Sequence, residues 1–297
     1  MMRFGKGSRL GAGIEFECLA TGFYLEALLV DGEDVWFTDV VEGGVRKVGG
    51  DRILLPERSM VGGLLLNEDG ILLVSGGGGI QWVHPATHAF GNLVDGLAGV
   101  NEMRSDGAGG IYFGTIDLAA ILAGRRPAPS SIQHLSSECV LSQVRGGLAF
   151  ANGLSVSADG SFLYFNESFA AVRAFPIEKG GSLGEPITLL DMPDCDGMAL
   201  DAEGNLWITG FASGELRCLR PDGSEVRRLA LPGKACTNVR FGGADLSDLY
   251  VTIVDPGSAQ ALAEGQPLRD RNSAIYRTRS PVPGAPLATA CFRLGRE

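Results

Sequence analysis

A chain of 297 residues with 45% hydrophobic and 20% charged residues has a globular composition, long enough for a sizeable core and far from the profile of a disordered chain. Its formal net charge of −10 disfavours nucleic acid and anionic membranes as partners, since short basic pairs such as Arg125-Arg126 and Arg227-Arg228 make no patch. There is no apolar run of about 18 residues to span a bilayer, and Met1-Met2-Arg3-Phe4-Gly5-Lys6 lacks the apolar core of a signal peptide, so the cytoplasm is the expected location.

Along the chain, one kind of segment returns six times: a polar turn followed by a short apolar or aromatic strand. The copies are Asp31-Gly32-Glu33-Asp34-Val35-Trp36-Phe37, Asn67-Glu68-Asp69-Gly70-Ile71-Leu72-Leu73-Val74, Asp106-Gly107-Ala108-Gly109-Gly110-Ile111-Tyr112-Phe113, Asp159-Gly160-Ser161-Phe162-Leu163-Tyr164-Phe165, Asp201-Ala202-Glu203-Gly204-Asn205-Leu206-Trp207-Ile208 and Asp245-Leu246-Ser247-Asp248-Leu249-Tyr250-Val251. Aligning Trp36, Leu73, Tyr112, Tyr164, Trp207 and Tyr250 gives steps of 37, 39, 52, 43 and 43 residues. After each copy comes a second, alternating segment: Val45 to Val48, Ile80 to Val83, Ile132 to Leu135, Val172 to Phe175, Leu216 to Leu219 and Ile275 to Thr278. Outer strands follow in places, at Pro186 to Leu190 and Ser224 to Leu231.

A period near forty with hairpin-like turns predicts an all-β fold, a six-bladed β-propeller of four-stranded antiparallel blades, rather than a helical solenoid or a β-sandwich. One domain is expected over residues 1–297, with Gly13 to Ala20 as the N-terminal strand that closes the ring against the last blade. The longest step holds an insertion at about 116–131, helical in spacing at first and then Pro-rich, readable as a lid or as a surface excursion. Six scattered cysteines, with no CxxC pair, are expected to be reduced core fillers, and the three histidines, His84, His88 and His134, show no ligand spacing.

The strand before each aligned position should line the central channel. Ten to twelve residues upstream of those positions stand Glu26, Gly62, Asn101, Asn152, Asp196 and Asn238, five of which are acid or amide. Converging oxygen donors suit a hard divalent cation such as Ca²⁺, and a cation would remove the repulsion between carboxylates in a narrow channel. A water-filled channel with polar strand ends is the alternative.

At these residues the chain resembles the family of senescence marker protein (regucalcin), gluconolactonase and luciferin-regenerating enzyme. The resemblance is carried by Asn152-Gly153-Leu154 with Ser157 and Asp159-Gly160, by Asp196-Gly197-Met198-Ala199-Leu200-Asp201-Ala202-Glu203-Gly204-Asn205-Leu206-Trp207, and by Thr237-Asn238-Val239-Arg240-Phe241-Gly242-Gly243. It implies a divalent-metal-dependent hydrolase that opens a lactone or related ester through a polarised carbonyl and an activated water. Glu26, Asn152 and Asp196 are the implied ligands of one ion, Ca²⁺ foremost, with Zn²⁺, Mn²⁺, Mg²⁺ and Fe²⁺ also used by members. Asp196 would activate the water, with Glu102 as the alternative base, and Asn101, Glu102 and Met103 would bind a small-molecule lactone or ester. Two departures bear on the substrate: Gly99 stands where sugar-lactone members carry an arginine, and Glu102 where they carry an aspartate. A non-catalytic calcium-binding propeller and a propeller enzyme of phosphotriesterase or strictosidine synthase-like chemistry are the rival readings.

Overall fold

The computed structural model of the protein describes residues 8–10 and 14–295; residues 1–6, read above for a signal peptide, and Gly13 of the expected closing strand lie outside them. Strands β1 (Ser8–Leu10) and β2 (Ile14–Gly22) precede β3 (Leu25–Asp31), β4 (Asp34–Asp39), β5 (Val45–Lys47) and β6 (Ile53–Leu54), of which the last four form one sheet. A seven-stranded sheet follows, built from β7 (Leu64–Leu66), β8 (Leu72–Val74), β9 (Gly76–Val83), β10 (Phe90–Ser105), β11 (Ile111–Thr115), β12 (Ser130–Leu135) and β13 (Leu141–Leu148). Helix α1 (Leu118–Leu122) sits between β11 and β12, inside the insertion.

Two four-stranded sheets come next. The first comprises β14 (Ala151–Val156), β15 (Phe162–Glu167), β16 (Ala171–Pro176) and β17 (Ile187–Asp191); the second comprises β18 (Cys195–Leu200), β19 (Leu206–Gly210), β20 (Glu215–Leu219) and β21 (Glu225–Ala230). The last sheet gathers β22 (Cys236–Gly242), β23 (Asp248–Ile253) and β24 (Ser273–Arg279) with β2 and β1, and helix α2 (Pro256–Ala263) lies between β23 and β24. All strand pairings in these sheets are antiparallel.

This is an all-β propeller, but the expectation of six four-stranded blades needs correction. Among the described residues the hydrogen bonding gives five sheets, of which only three have four strands. The cause is β10, one strand of 16 residues that pairs with β9 through Phe90 to Val100 and with β11 through Val100 to Ser105. Two repeat units that the sequence period separates are thereby fused into the seven-stranded sheet. Closure of a six-unit ring by the N-terminal strand is likewise not supported: β2 is an added strand of a five-stranded sheet, placed between β24 and β1.

The repeated turns explain the short strands. In Asp201-Ala202-Glu203-Gly204-Asn205, the Asp201 carboxylate accepts from the Glu203 and Asn205 backbone N–H groups, both at 2.9 Å, and from Trp207 Nε1 at 2.9 Å. One acidic residue thus sets the turn and satisfies the only polar atom of a buried indole. Trp207 then packs with Phe16, Leu216, Val239 and Val251 between neighbouring sheets. Burial of each such side chain contributes about 1.5–3 kcal/mol.

In the third copy of the turn, Asp106 accepts from the Ala108 and Gly110 N–H groups at 2.7 and 2.9 Å, and from His134 Nε2 at 2.8 Å. Burial opposes its charge, yet the His134 hydrogen bond and the backbone donors hold the carboxyl below its usual value. A carboxylate depressed in this way adds stability above its unfolded value of about 3.9, and that stability is lost as pH falls through the lower folded value. Urea midpoints of wild type and Asp106→Asn are therefore expected to differ at pH 7 and to converge as the pH falls through the lowered folded value. His84 is occupied in its own turn, where Nδ1 accepts from the Ala86 and Thr87 N–H groups. Cys195, Cys218 and Cys236 are buried as expected, whereas Cys139 and Cys291 are exposed. No described helix is long and apolar enough to cross a membrane.

Candidate active site

Six strands face a common axis, each in contact with the next: β3, β7, the inner end of β10, β14, β18 and β22. In five of them the register breaks at the inner end, between Glu26 and Leu28, Val100 and Met103, Ala151 and Leu154, Cys195 and Met198, and Cys236 and Asn238. A β-bulge inserts a residue and re-aims the side chains around it. The polar residues of the channel sit at these bulges, which is how a strand otherwise committed to core packing turns one carboxylate or amide toward the axis.

Close approach of the inner strands decides the glycine that follows two of those residues. A Cβ at Gly153 would stand 2.5 Å from the Asp196 carbonyl oxygen, and one at Gly197 would stand 2.7 Å from Asn238 Cα. The Asn152-Gly153 and Asp196-Gly197 pairs are therefore points of backbone contact around the axis, not hairpin turns.

Glu26, Asn101, Asn152 and Asp196 line a single cavity of about 480 Å³ at one end of the channel, together with Gly62. Asn101 Nδ2 donates to the Ala151 carbonyl at 2.9 Å and to Asn152 Oδ1 at 3.1 Å, while Asn152 Nδ2 donates to Ser168 Oγ at 3.0 Å. Ser168 is anchored in turn on the Cys195 carbonyl. Both amides are thereby fixed in orientation. Burial pushes the Glu26 carboxyl up to about 8, reinforced by the charge of Glu102. Asp196 is raised well above the usual carboxylate range by burial, and then by the charges of Glu26 and Glu102.

The other expected contacts lie elsewhere. Met103 is fully buried in the core with Leu65, Leu73, Ile111 and Phe113, and so is placed away from the cavity. Glu102 is 2% exposed and sits in a clamp, with Arg240 Nη2 at 2.9 and 3.1 Å from its two oxygens and Arg104 Nη1 at 3.0 Å. Burial works against its ionisation, but Arg240 and Arg104 outweigh that effect and hold it below its ordinary value. A carboxylate paired twice is a poor proton acceptor. Asn238 turns toward the same clamp, donating to Glu102 at 2.6 Å, and does not line the cavity.

Sequence reasoning missed Tyr24, Ser168 and Asp194, which also line the cavity, and the arginine clamp. Arg240 stands inside the segment that carried the family resemblance, where an arginine flanked by Val239 and Phe241 on a buried strand was the available signal. The cavity walls are mainly apolar, with Val40, Met60, Phe150, Phe169 and Phe211 above the polar floor.

The model of the SMP-30/Gluconolactonase/LRE-like region matches residues 26–255, a span that begins at Glu26 and includes every polar residue of the cavity floor. This chain belongs to the SMP-30/gluconolactonase/LRE-like family. Pentonolactonase XacC of Haloferax volcanii is similar to this family member at 27% identity over 248 residues, covering 80% of this chain and 83% of that protein. Regucalcin of Danio rerio is 31% identical over 179 residues, covering 55% of this chain and 57% of that protein. Among solved structures, a regucalcin from Agrobacterium tumefaciens, described as a calcium-binding protein, superimposes with a TM-score of 0.77 at 20% identity, over 95% of this chain and 98% of that one. That last likeness is one of fold.

Proposed function

We propose that this chain is a divalent-metal-dependent lactonase. The observation that carries the reading is the convergence of two carboxylates and two fixed amides on the floor of one otherwise apolar cavity. Among the described residues no three His, Cys, Asp or Glu side chains group as a metal site; the donors are instead two carboxylates completed by an amide oxygen. All are hard oxygen donors, the set that Ca²⁺ accepts, and two carboxylates raised by burial and by neighbouring negative charge are what a bound cation relieves. Glu26, Asn152 and Asp196 would hold the ion. The calcium-binding description of the Agrobacterium regucalcin favours Ca²⁺, and the pentonolactonase name favours a lactone.

When bound, the cation supplies Lewis-acid polarisation of the substrate carbonyl. The rest falls to the chain. Asn101 and Asn152, locked by their mutual hydrogen bond, orient the ring ester against the floor. Asp196 accepts the proton of the attacking water, whose oxygen bonds to the carbonyl carbon. The ring C–O bond then breaks and the departing oxygen takes up a proton, leaving a hydroxy acid. Phe150, Phe169 and Phe211 add apolar surface to the cavity walls.

The test begins with the metal content of the purified protein. Wild type and Glu26→Gln are then assayed on γ- and δ-lactones, aryl esters and phosphotriesters, before and after chelation. Lactone turnover that disappears on chelation, returns with Ca²⁺ and falls by about 10²-fold or more in the variant is expected. Full activity in the ion-free protein or in Glu26→Gln would overturn the reading.

A further inference from the structure

The two α-helices among the described residues lie in different sheets' connections and meet at the same cavity. Helix α1 contacts α2, and Leu118 and Ile121 of the first and Leu262 of the second line the same cavity as the polar floor. Asp117 caps α1 by accepting from the Ala120 N–H at 3.1 Å and also accepts from the Ala128 N–H at 3.2 Å, which ties the insertion's loop back to the helix start. Beneath α1 the chain carries no side chain at Gly99, and the helix fills that space. A Cβ at Gly99 would stand 3.0 Å from Leu118 Cβ and 3.1 Å from the Ile116 carbonyl oxygen, so any side chain at position 99 competes with the helix for one space.

The consequence is chemical. Among the described residues no lysine, arginine or histidine lines the cavity, and of its polar side chains outside the floor, Tyr24, Ser168 and Asp194, two are already engaged: Ser168 with the Cys195 carbonyl and Asp194 with the Ser213 N–H. A polyhydroxylated ring would bury hydroxyl groups against leucine, isoleucine and phenylalanine, at a cost for each one left without a partner. An alkyl chain would gain from the same walls. The volume of about 480 Å³ is far larger than a small lactone ring needs and falls within the range of pockets that enclose drug-sized ligands.

We infer that the substrate is a lactone bearing an extended apolar substituent, with its ring ester on the Glu26/Asn152/Asp196 floor and its chain under the α1/α2 roof. This inference rests on the lactonase reading for the reaction, but on the roof alone for the chain. The experiment is a homologous series, γ-butyrolactone, γ-hexalactone, γ-nonalactone and γ-undecalactone, run beside glucono-1,5-lactone on the metal-loaded full chain. Each added methylene is expected to raise kcat/KM by about threefold until the roof is filled. In Ile121→Asn and Leu262→Asn, the ratio of γ-undecalactone to γ-butyrolactone kcat/KM is expected to fall at least tenfold, with unchanged melting temperature confirming that each variant is folded. Calorimetric binding of γ-undecalactone separates the two readings. A preference for glucono-1,5-lactone, or no dependence on chain length, overturns the apolar substrate and leaves the lactonase standing. Binding of γ-undecalactone without turnover of any lactone overturns the lactonase and supports the apolar site. Neither binding nor turnover overturns both.

Discussion

Asp196→Asn is expected to lower kcat/KM for lactone hydrolysis by roughly 10³-fold, the scale of losing a positioned proton acceptor. Asp196 has both roles that the cavity floor can assign, as an ion donor and as the group that takes the water proton. The change keeps shape and a hydrogen-bonding oxygen but removes the charge. Because Asp196 is 7% exposed and shares its cavity with Glu26, folding without an ion must either neutralise this carboxyl or bury its charge beside another of the same sign. The ion-free variant should therefore melt no lower than the ion-free wild type, while Ca²⁺ should raise the melting temperature of the wild type alone. Steady-state kinetics and paired melting curves, with and without chelator, check both halves. Retained activity would remove Asp196 from the mechanism.

Arg240→Met is expected to cost about 3–5 kcal/mol of stability, because it leaves a buried charge without its principal partner. Arg240 is 5% exposed; besides its two contacts with Glu102, its Nη1 donates to the Val239 carbonyl at 2.6 Å and the Met198 carbonyl at 3.1 Å. It therefore ties β22 to β18 and to β10 across the axis. Urea unfolding of the ion-free protein measures the loss. Glu102→Gln discriminates the two roles that sequence allows for that residue. A proton acceptor would show a large fall in kcat at unchanged stability; a clamped structural anion should show the reverse, a lower urea midpoint with kcat within a few fold of wild type.

The inward-facing residues were legible in sequence because a repeat has a register. Once the turn before Trp207 is aligned with the turn before Tyr164, the positions of Asp196 and Asn152 follow, and both line the cavity. The order of the strands was legible for the same reason, down to outer strands such as β17 and β21. What the repeat could not show was the bulge. Between Val100 and Met103 the pairing slips, so simple alternation fails there, sending Met103 into the core and Glu102 to the arginines. Nor could it show that β10 runs unbroken through two units, since a strand's continuity is a matter of its partners, not of its own residues. The roof was half visible: the insertion declared itself by length and apolar spacing, but its meeting with Leu262, more than a hundred residues away, is a fact of three dimensions.

The unbroken course of β10 also governs how the molecule comes apart. In a ring of independent units, each sheet could open and exchange its amide hydrogens on its own schedule. Here the exposed rim at Phe90 and the cavity floor at Asn101 belong to one hydrogen-bonded strand, and α1 leaves the same sheet between β11 and β12. Residues 64–148 then carry one continuous hydrogen-bonded sheet, and fraying that starts at the rim must stop at the bulges or release the floor and the roof together. The bulges at Asn92, Asp95 and Leu97 are accordingly fuses: they let the outer half of the strand loosen while the inner half keeps Asn101 in place.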